Sequence, residues 1–322
     1  MNQKGIAPIF IIIIIAAITS MIYVNSRPQK DEMPIPALQT PQALPSATPT
    51  PISTSTPIPT PTPQPTPTMT PTIKPSPTPT KTPQVVSNNT PPGSGYSYQS
   101  VNVDGANFNV GIIAADLNST KVIVDTASDS DCSNNCPVLS LADYASRNGA
   151  YAGINGSYFC PAEYASCTGK TNSFDTLLMN KNKVYFNSGN NVYSTVPAVI
   201  LSAGSARFVG QSLEWGRDTG VDAVLANYPL LVAGGNINFT EAPNEPKFGG
   251  KASRTFIAAK GSMVYIGVVH SATMGDSAKV LKALGMDSAL NLDQGGSTAL
   301  WSGGYKAGPG RSIPNAILFV RR

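Results

Sequence analysis

The feature that most limits what this chain can fold into is a proline-rich stretch near its N-terminus. Residues 28–92 hold 20 of the 29 prolines, mostly as Thr-Pro repeats, and contain few large apolar side chains. Proline fixes φ and removes a backbone donor, so such a stretch favours extended polyproline II and cannot bury a core. We therefore predict that residues 28–93 form an extended, disordered linker and that residues 94–322 form the folded domain.

An apolar segment without charged side chains precedes the linker. Residues 6–24 are 19 residues long, which at about 1.5 Å per residue approaches the ~30 Å hydrocarbon core of a bilayer. No A-x-A cleavage site follows, so residues 1–27 are predicted to be an uncleaved signal anchor with one transmembrane helix; a cleaved signal peptide is the alternative. The flanking charges favour a cytoplasmic N-terminus and a membrane-anchored domain outside the cytoplasm, in the cell envelope.

The charge of residues 94–322 is nearly balanced, with 17 Lys and Arg against 16 Asp and Glu. Proteins that bind nucleic acids usually carry a basic surface, so no nucleic-acid partner is expected. The length suits one domain with a substantial core, and nothing in the sequence fixes an oligomeric state.

All four cysteines fall in this domain, in two local clusters. An exported domain sits where disulfides form and persist. Of the three possible connectivities, the simplest pairs Cys132 with Cys136 and Cys160 with Cys167. Other pairings and a structural zinc site stay open as alternatives.

Strand-like segments outnumber helical ones in the domain, which indicates an α+β fold with a mixed β-sheet and a few helices. One helix is predicted at 140–147, with Ser140 as its N-cap. A second is predicted at 276–284, with Asp276 as N-cap and Gly285 closing it. Strands are predicted where residues are β-branched, alternating or apolar in short runs: 108–114, 121–125, 153–155, 183–186, 198–201, 255–259, 263–269, 289–292 and 316–320.

The last predicted helix lies between two predicted strands, 263–269 and 289–292. This order is typical of a right-handed crossover that joins parallel strands. Such a crossover would place Asp293 at the carboxyl end of a buried strand. Open α/β sheets usually bind their ligands at that edge, so the position favours a functional role for Asp293.

Two strand ends carry polar residues followed by glycine. Asp293 loses some solvent after its apolar strand, and Gly295 and Gly296 would let backbone N–H groups converge on an anion. The plain alternative is a tight turn in which Asp293 bonds nearby amides. Asn155, before Gly156, could donate to and accept from sugar hydroxyls; residues alone more often indicate a turn pinned by a disulfide and two core aromatic side chains.

Few other groups in the domain could carry chemistry. His270 is the single histidine, and no G-x-S-x-G, H-E-x-x-H or P-loop spacing occurs. Arg254 and Arg311 could together grip a phosphate, although each alone is more often a surface charge. Calcium would suit the oxygens around Asp293, but the prediction is that the protein needs no metal and no cofactor.

Four short motifs occur in order along the domain. They are Asn155-Gly156-Ser157-Tyr158-Phe159, Ser253-Arg254-Thr255, Asn291-Leu292-Asp293-Gln294-Gly295-Gly296-Ser297-Thr298, and Arg311-x-x-Pro314-Asn315. Together they strongly resemble the phosphodiester glycosidase family, which includes the enzyme that uncovers mannose 6-phosphate. The resemblance covers roughly residues 100–320. It departs from the family at Gln294, where a third glycine is usual.

The resemblance implies hydrolysis of the C1–O bond of a sugar-1-phosphodiester in an envelope or extracellular glycan. A phosphate leaving group is a weak base, so one well-placed carboxylate could suffice. The rival interpretation is a non-catalytic module on a stalk that binds envelope glycans or phosphodiesters. The residues predicted for the reaction are Asp293, Arg254 and Asn155 as catalytic groups; Arg311, Gly295, Gly296, Ser297, Thr298, Asn315 and His270 as substrate-binding groups; and Glu163 or Asp175 as a possible second carboxylate.

Overall fold

The structure is a computed structural model that describes residues 87–187, 194–239 and 246–322. All of them belong to one of the two units into which the chain divides, Pro77–Arg322. The predicted membrane segment and nearly all of the predicted linker lie outside the described residues. Within the described ranges, no helix is both long enough and apolar enough to cross a membrane.

β-strands make up most of the secondary structure in the described ranges, and short turns connect many of them. The first nine strands are β1 Gly95–Val103, β2 Ala106–Asp116, β3 Thr120–Thr126, β4 Ala152–Asn155, β5 Leu178–Met179, β6 Tyr185–Phe186, β7 Ala198–Ser202, β8 Ser205–Val209 and β9 Ala223–Ala226. The next eight are β10 Leu230–Ala233, β11 Asn236–Ile237, β12 Ala252–Lys260, β13 Met263–Ala272, β14 Ser288–Asn291, β15 Leu300–Ser302, β16 Tyr305–Ala307 and β17 Asn315–Arg321. The helices are α1 Leu141–Arg147, α2 Pro246–Gly249 and α3 Met274–Ala283.

The strands form three sheets. The largest has the order β1-β2-β13-β12-β14-β10-β11, and two five-stranded sheets have the orders β16-β15-β4-β17-β3 and β6-β5-β9-β7-β8. In the described part of the chain, every pair of neighbouring strands is antiparallel. We call these three sheets the large, second and third sheet.

The α+β class and the positions of the predicted strands are confirmed, although 183–186 shortens to Tyr185–Phe186. The prediction of parallel pairing in a mixed sheet is wrong. β13 and β14 do run in the same direction, but β12 lies between them and is antiparallel to both. The chain therefore passes over one strand position through α3 before it returns to the large sheet.

Both predicted helices form, and their caps explain where they begin. The Ser140 side chain accepts a hydrogen bond from the Asp143 N–H, as predicted for the N-cap of α1. α3 begins earlier than predicted because Thr273 is its N-cap, and Asp276 completes a capping box with it. Gly285 follows α3 with a φ of 71°, the left-handed conformation that ends many helices.

A shared apolar core lies where the three sheets meet. It contains buried side chains from every sheet, such as Ile257 from the large sheet, Ile154 from the second and Leu225 from the third. The other face of the large sheet is covered by α3, whose Leu281 is fully buried there. Burying each such side chain stabilises the fold by roughly 1.5–3 kcal/mol, so the core holds the strand ends that carry the polar motifs.

Gly267 tests how closely the central strands of the large sheet are packed. A Cβ added to it would lie 2.5 Å from the Gly111 carbonyl oxygen and 2.6 Å from Cζ of Phe256. We expect Gly267→Ala to lower the free energy of unfolding by about 2–3 kcal/mol, because neighbouring backbone cannot move aside cheaply. Denaturant unfolding measures this, and Gly93→Ala, which adds a methyl group to open space, is the control. Equal stabilities of the two variants would contradict the packing.

Candidate active site

A cleft of about 350 Å³ opens where the ends of β4, β12 and β14 come together. It brings together residues from all four sequence motifs, which lie far apart along the chain. The cleft is lined by Tyr158, Phe159, Pro161, Tyr164, Lys247, Gly250, Lys251, Ala252, Arg254, Asp293, Gln294, Gly295, Gly296, Ser297 and Arg311.

Asp293 lies at the base of this cleft and is 9% exposed. Its backbone N–H donates to the Gly156 carbonyl at 2.9 Å, and its Oδ1 accepts a hydrogen bond from the Gln294 N–H at 2.9 Å. Its other oxygen, Oδ2, is buried and accepts no hydrogen bond of good geometry from the described residues. The main chain thus fixes one carboxylate oxygen, while the other is buried without a hydrogen bond of good geometry.

The environment of Asp293 raises its pKa to about 6, from an ordinary value of 3.8. Burial is the cause, since a carboxylate that loses water ionises less readily. The Ser297 hydroxyl, the Gln294 N–H and the positive charges of Lys247 and Arg311 oppose that effect without cancelling it. Asp293 can therefore gain or lose a proton close to neutral pH.

Arg254 is a buried cation, 1% exposed, at the side of the cleft. Its guanidinium donates to four main-chain carbonyls, those of Lys247, Phe248, Gly250 and Ala272, and to the Oε1 of Gln294. These five acceptors match the five N–H donors of a guanidinium. The predicted role of Arg254 as a direct phosphate ligand does not fit this geometry, because its donors are already in use. Its positive charge still acts on the cleft.

Arg311 reaches the cleft over a glycine. The backbone N–H of Arg311 donates to the Gly296 carbonyl at 2.8 Å. A Cβ added to Gly296 would lie 2.3 Å from the Arg311 Nη2. Gly296 is therefore required for the close approach of this guanidinium. On its outer side Arg311 forms an ion pair with Glu163, with 3.3 Å between Nη1 and Oε2, and lies 5.4 Å from the ring centroid of Tyr164.

Lys247 is a cleft residue that the sequence did not reveal. Its Nζ lies 3.7 Å above the ring of Tyr158 and 5.5 Å from that of Tyr228, distances typical of cation–π contacts. Its charge lowers the pKa of both Asp293 and Asp175, against the burial that raises them. A single lysine in a four-residue helix carries no motif, so its role in the cleft follows only from its three-dimensional contacts.

The predicted role of Asn155 in binding sugar is not supported by its position, because the side chain is fully buried and its amide is already bonded. Its Nδ2 donates to the Asp293 carbonyl at 2.7 Å, and its Oδ1 accepts from the Ala299 N–H at 3.1 Å. The Thr255 hydroxyl donates to the same Asp293 carbonyl. Asn155 is therefore placed to position Asp293.

Three more buried asparagines join strand ends, two of them between different sheets and Asn315 within the second sheet. Asn227, after β9, accepts from the Tyr158 N–H at 3.0 Å and donates to the Asn291 carbonyl at 2.8 Å. Asn291, in β14, donates to the Tyr158 hydroxyl at 2.8 Å. Asn315, in β17, accepts from the Ser157 N–H at 2.9 Å. The expected substrate contact of Asn315 is replaced by this internal one.

The other predicted site residues divide between the cleft and its surroundings. Gly295, Gly296, Ser297 and Arg311 line the cleft. Thr298 is buried behind them, and Glu163 meets Arg311 at the rim. Asp175 is close enough to Lys247 for their charges to interact.

His270 lies outside the lining of the cleft. Its ring packs on that of Tyr98, with 5.8 Å between centroids, and burial lowers its pKa. The predicted contact of His270 with substrate therefore has no support in the structure.

Both predicted disulfides are confirmed, Cys132–Cys136 and Cys160–Cys167. The second closes the loop that carries Glu163 and Tyr164 to the rim of the cleft. No group of three or more His, Cys, Asp or Glu side chains is placed to hold a metal ion in the described ranges.

Comparisons with known proteins identify the family and the fold of the domain. A sequence model of a family described as phosphodiester glycosidase matches residues 148–320, more than half of the chain. The zebrafish N-acetylglucosamine-1-phosphodiester alpha-N-acetylglucosaminidase catalytic domain, auto-inhibited by its pro-peptide, has a similar structure. The TM-score is 0.56 at 17% identity, and the match covers 74% of this chain and 87% of that one.

A hypothetical protein from Synechocystis is also similar, with a TM-score of 0.50 at 13% identity over 70% of this chain. The match covers 62% of that protein, so this chain spans less than two thirds of its length. None of the curated proteins compared with this chain matches it. At these identities, the likeness to solved structures establishes the fold.

Asn155→Ala tests whether this side chain positions Asp293. The substitution leaves the buried Ala299 N–H without an acceptor and removes one donor from the Asp293 carbonyl. We therefore expect the free energy of unfolding to fall by about 2–3 kcal/mol. Urea unfolding gives the value, and Asn236→Ala, at an exposed strand end, is the matched control. A residue that touched substrate alone would leave stability at the level of the control.

The raised pKa of Asp293 predicts a cost in stability at neutral pH. The folded state prefers the protonated side chain, so stability falls as pH rises from the ordinary value of 3.8 through about 6. A tenfold change in an acid's ionisation constant corresponds to about 1.4 kcal/mol. We therefore expect Asp293→Asn to be about 3 kcal/mol more stable than the wild type at pH 7.5, with the difference shrinking towards pH 4.

Thermal unfolding of both proteins at several pH values provides the measurement. Asp129→Asn, at an exposed position, controls for the loss of one negative charge. A stability difference between Asp293→Asn and wild type that stays the same at pH 4 and pH 7.5 would rule out burial of the carboxylate as its cause.

Proposed function

Because this chain belongs to the phosphodiester glycosidase family, we propose that it hydrolyses the C1–O bond of a sugar-1-phosphodiester. The observation that carries the proposal is a cleft in which Asp293, with its pKa of about 6, faces the cations Arg311 and Lys247. A sugar-1-phosphodiester presents a matching pair of groups, an anomeric carbon that gains positive charge in the reaction and a phosphate that is negative throughout.

Arg311 and Lys247 hold the phosphate in this mechanism. Both line the cleft, and Arg254 adds a third positive charge from beneath its surface. When the C1–O bond breaks, the bonding electrons pass to the phosphate oxygen. Fixed cations stabilise that developing charge without having to reorient, and this is a major source of catalysis in sites sheltered from water.

Asp293 acts on the other side of the bond. In its ionised form, the Asp293 carboxylate removes a proton from water, and the water oxygen bonds to C1 as the phosphate leaves. The same negative charge stabilises the positive charge of the oxocarbenium-like transition state. The phosphate needs no proton to leave, so a second carboxylate such as Glu163 is not required; Glu163 is paired with Arg311 at the rim.

Aromatic rings supply the apolar surface that a sugar ring needs. Tyr164 is 54% exposed at the rim, and Tyr158 lines the interior beside Lys247. An aromatic side chain that is exposed in the unliganded protein gains by covering the apolar face of a bound sugar. Tyr164 would therefore pack against the bound sugar ring or against the part of the substrate that extends out of the cleft.

The cellular setting of this reaction is part of the proposal. Two disulfides among the described residues are typical of a domain outside the cytoplasm. Together with the predicted anchor and linker, they favour a phosphodiester-linked glycan of the envelope as substrate. The domain would work at a distance from the membrane set by the linker.

A binding module without catalysis is the competing function, and Asp293 argues against it. A carboxylate that ionises near neutral pH repels a bound phosphate, so a site that only binds phosphodiesters would do better without it. A hydrolase has a use for that charge in the transition state.

Asp293→Asn tests the mechanism in the full-length protein. We expect kcat/KM on a sugar-1-phosphodiester to fall by roughly 10²-fold or more, because the base is lost. In the wild type, kcat/KM should fall about tenfold per pH unit below about 6 as Asp293 becomes protonated. Release of reducing sugar measures both, with Asp129→Asn as the control. Activity within about threefold of wild type would remove Asp293 from the mechanism.

A further inference from the structure

One of the five bonds made by Arg254 differs from the others. Four acceptors are main-chain carbonyls, which are fixed by the fold, while the fifth is the side-chain Oε1 of Gln294. Gln294 lines the cleft and is partly exposed, whereas Arg254 is buried. The Gln294 amide thus stands between the Arg254 Nη1 and the space that a ligand would occupy.

Arg254 forms none of the ion pairs in the described part of the chain, although the charge of Asp276 acts on it from further away. Hydrogen bonds from a guanidinium to an anionic oxygen are stronger than those to a neutral amide. An anion in the cleft would therefore gain from the Arg254 N–H that Gln294 uses, but only after the amide is displaced.

The main chain of Gln294 has a separate function. Its N–H donates to the Oδ1 of Asp293 at 2.9 Å, a bond that any amino acid except proline can make at this position. A substitution of the Gln294 side chain can therefore free the Arg254 Nη1 N–H while the main chain still holds the Asp293 carboxylate in place.

We propose that Gln294 is a specificity-determining residue that withholds one N–H of Arg254, so that the cleft favours a singly charged phosphodiester over a doubly charged phosphomonoester. This inference rests on the proposed function, whose product carries the phosphomonoester. A dianion gains more than a monoanion from each added cationic donor, because Coulomb energy grows with charge. Withholding that donor therefore weakens product binding more than substrate binding and speeds product release.

The test measures binding directly, without turnover, by isothermal titration calorimetry on the full-length protein at pH 8. The probes are methyl phosphate, a dianion, and dimethyl phosphate, a monoanion. For Gln294→Ala we expect methyl phosphate to bind about tenfold more tightly, as one charge-assisted bond would give, and dimethyl phosphate to gain less than about threefold. Gln211→Ala, an exposed glutamine outside the cleft lining, should leave both affinities unchanged.

A second variant tests whether the Gln294→Ala result comes from a less rigid cleft and not from the freed Arg254 N–H. Gln294→Glu keeps the size and the bond to Arg254 but adds a negative charge, and should weaken both probes by about tenfold or more. Unchanged or weaker binding of methyl phosphate to Gln294→Ala, or equal gains for both probes, would overturn the inference. A protein that discriminates between the probes as expected but hydrolyses no sugar phosphodiester would overturn only the proposed reaction.

Discussion

The backbone of Asp293 is the point on which the rest of the site depends. Its carbonyl accepts from the side chains of Asn155 and Thr255, and its N–H donates to Gly156. These bonds tie the end of β14 in the large sheet to the end of β4 in the second. The carboxylate is held in a sheltered position by its main chain, so its own oxygens need not be used for anchoring. Burial without full hydrogen bonding is what raises its pKa towards neutrality.

The two arginines of the motifs have different tasks in the structure. Arg254 is fully bonded and fixes α2, which carries Lys247, since it donates to the carbonyls of residues 247, 248 and 250. Arg311 lies over Gly296 and faces the cleft. Positive charge thus reaches the cleft in two ways, from a cation locked beneath its surface and from cations at its wall. The cations at the wall can bond a phosphate directly, whereas Arg254 could do so only if the side-chain amide of Gln294 were displaced.

Much of the site could be predicted from the sequence, because strand ends that carry polar residues are recognisable locally. Asp293 and the glycines after it were recognised in this way and do line the cleft. The helices and disulfides followed from other local patterns, although the N-cap of α3 is Thr273 and not Asp276. The contacts of the Asn155 side chain could not be predicted, because they depend on which strand end lies next to β4 in the folded domain. The same holds for Lys247, whose neighbours Tyr158 and Tyr228 are distant in sequence. Pairing between sheets is a long-range property, and this is also why the parallel crossover was predicted wrongly.

Anchoring the reacting group through its main chain separates how the protein folds from what it does at this position. The hydrogen bonds that join the sheets at residue 293 use only its main-chain N–H and carbonyl and do not involve its side chain. Descendants of such a domain could exchange the carboxylate for another small polar group by a single codon change and keep the framework. The chemistry of the cleft at this position could therefore change without any change in the junction between the two sheets.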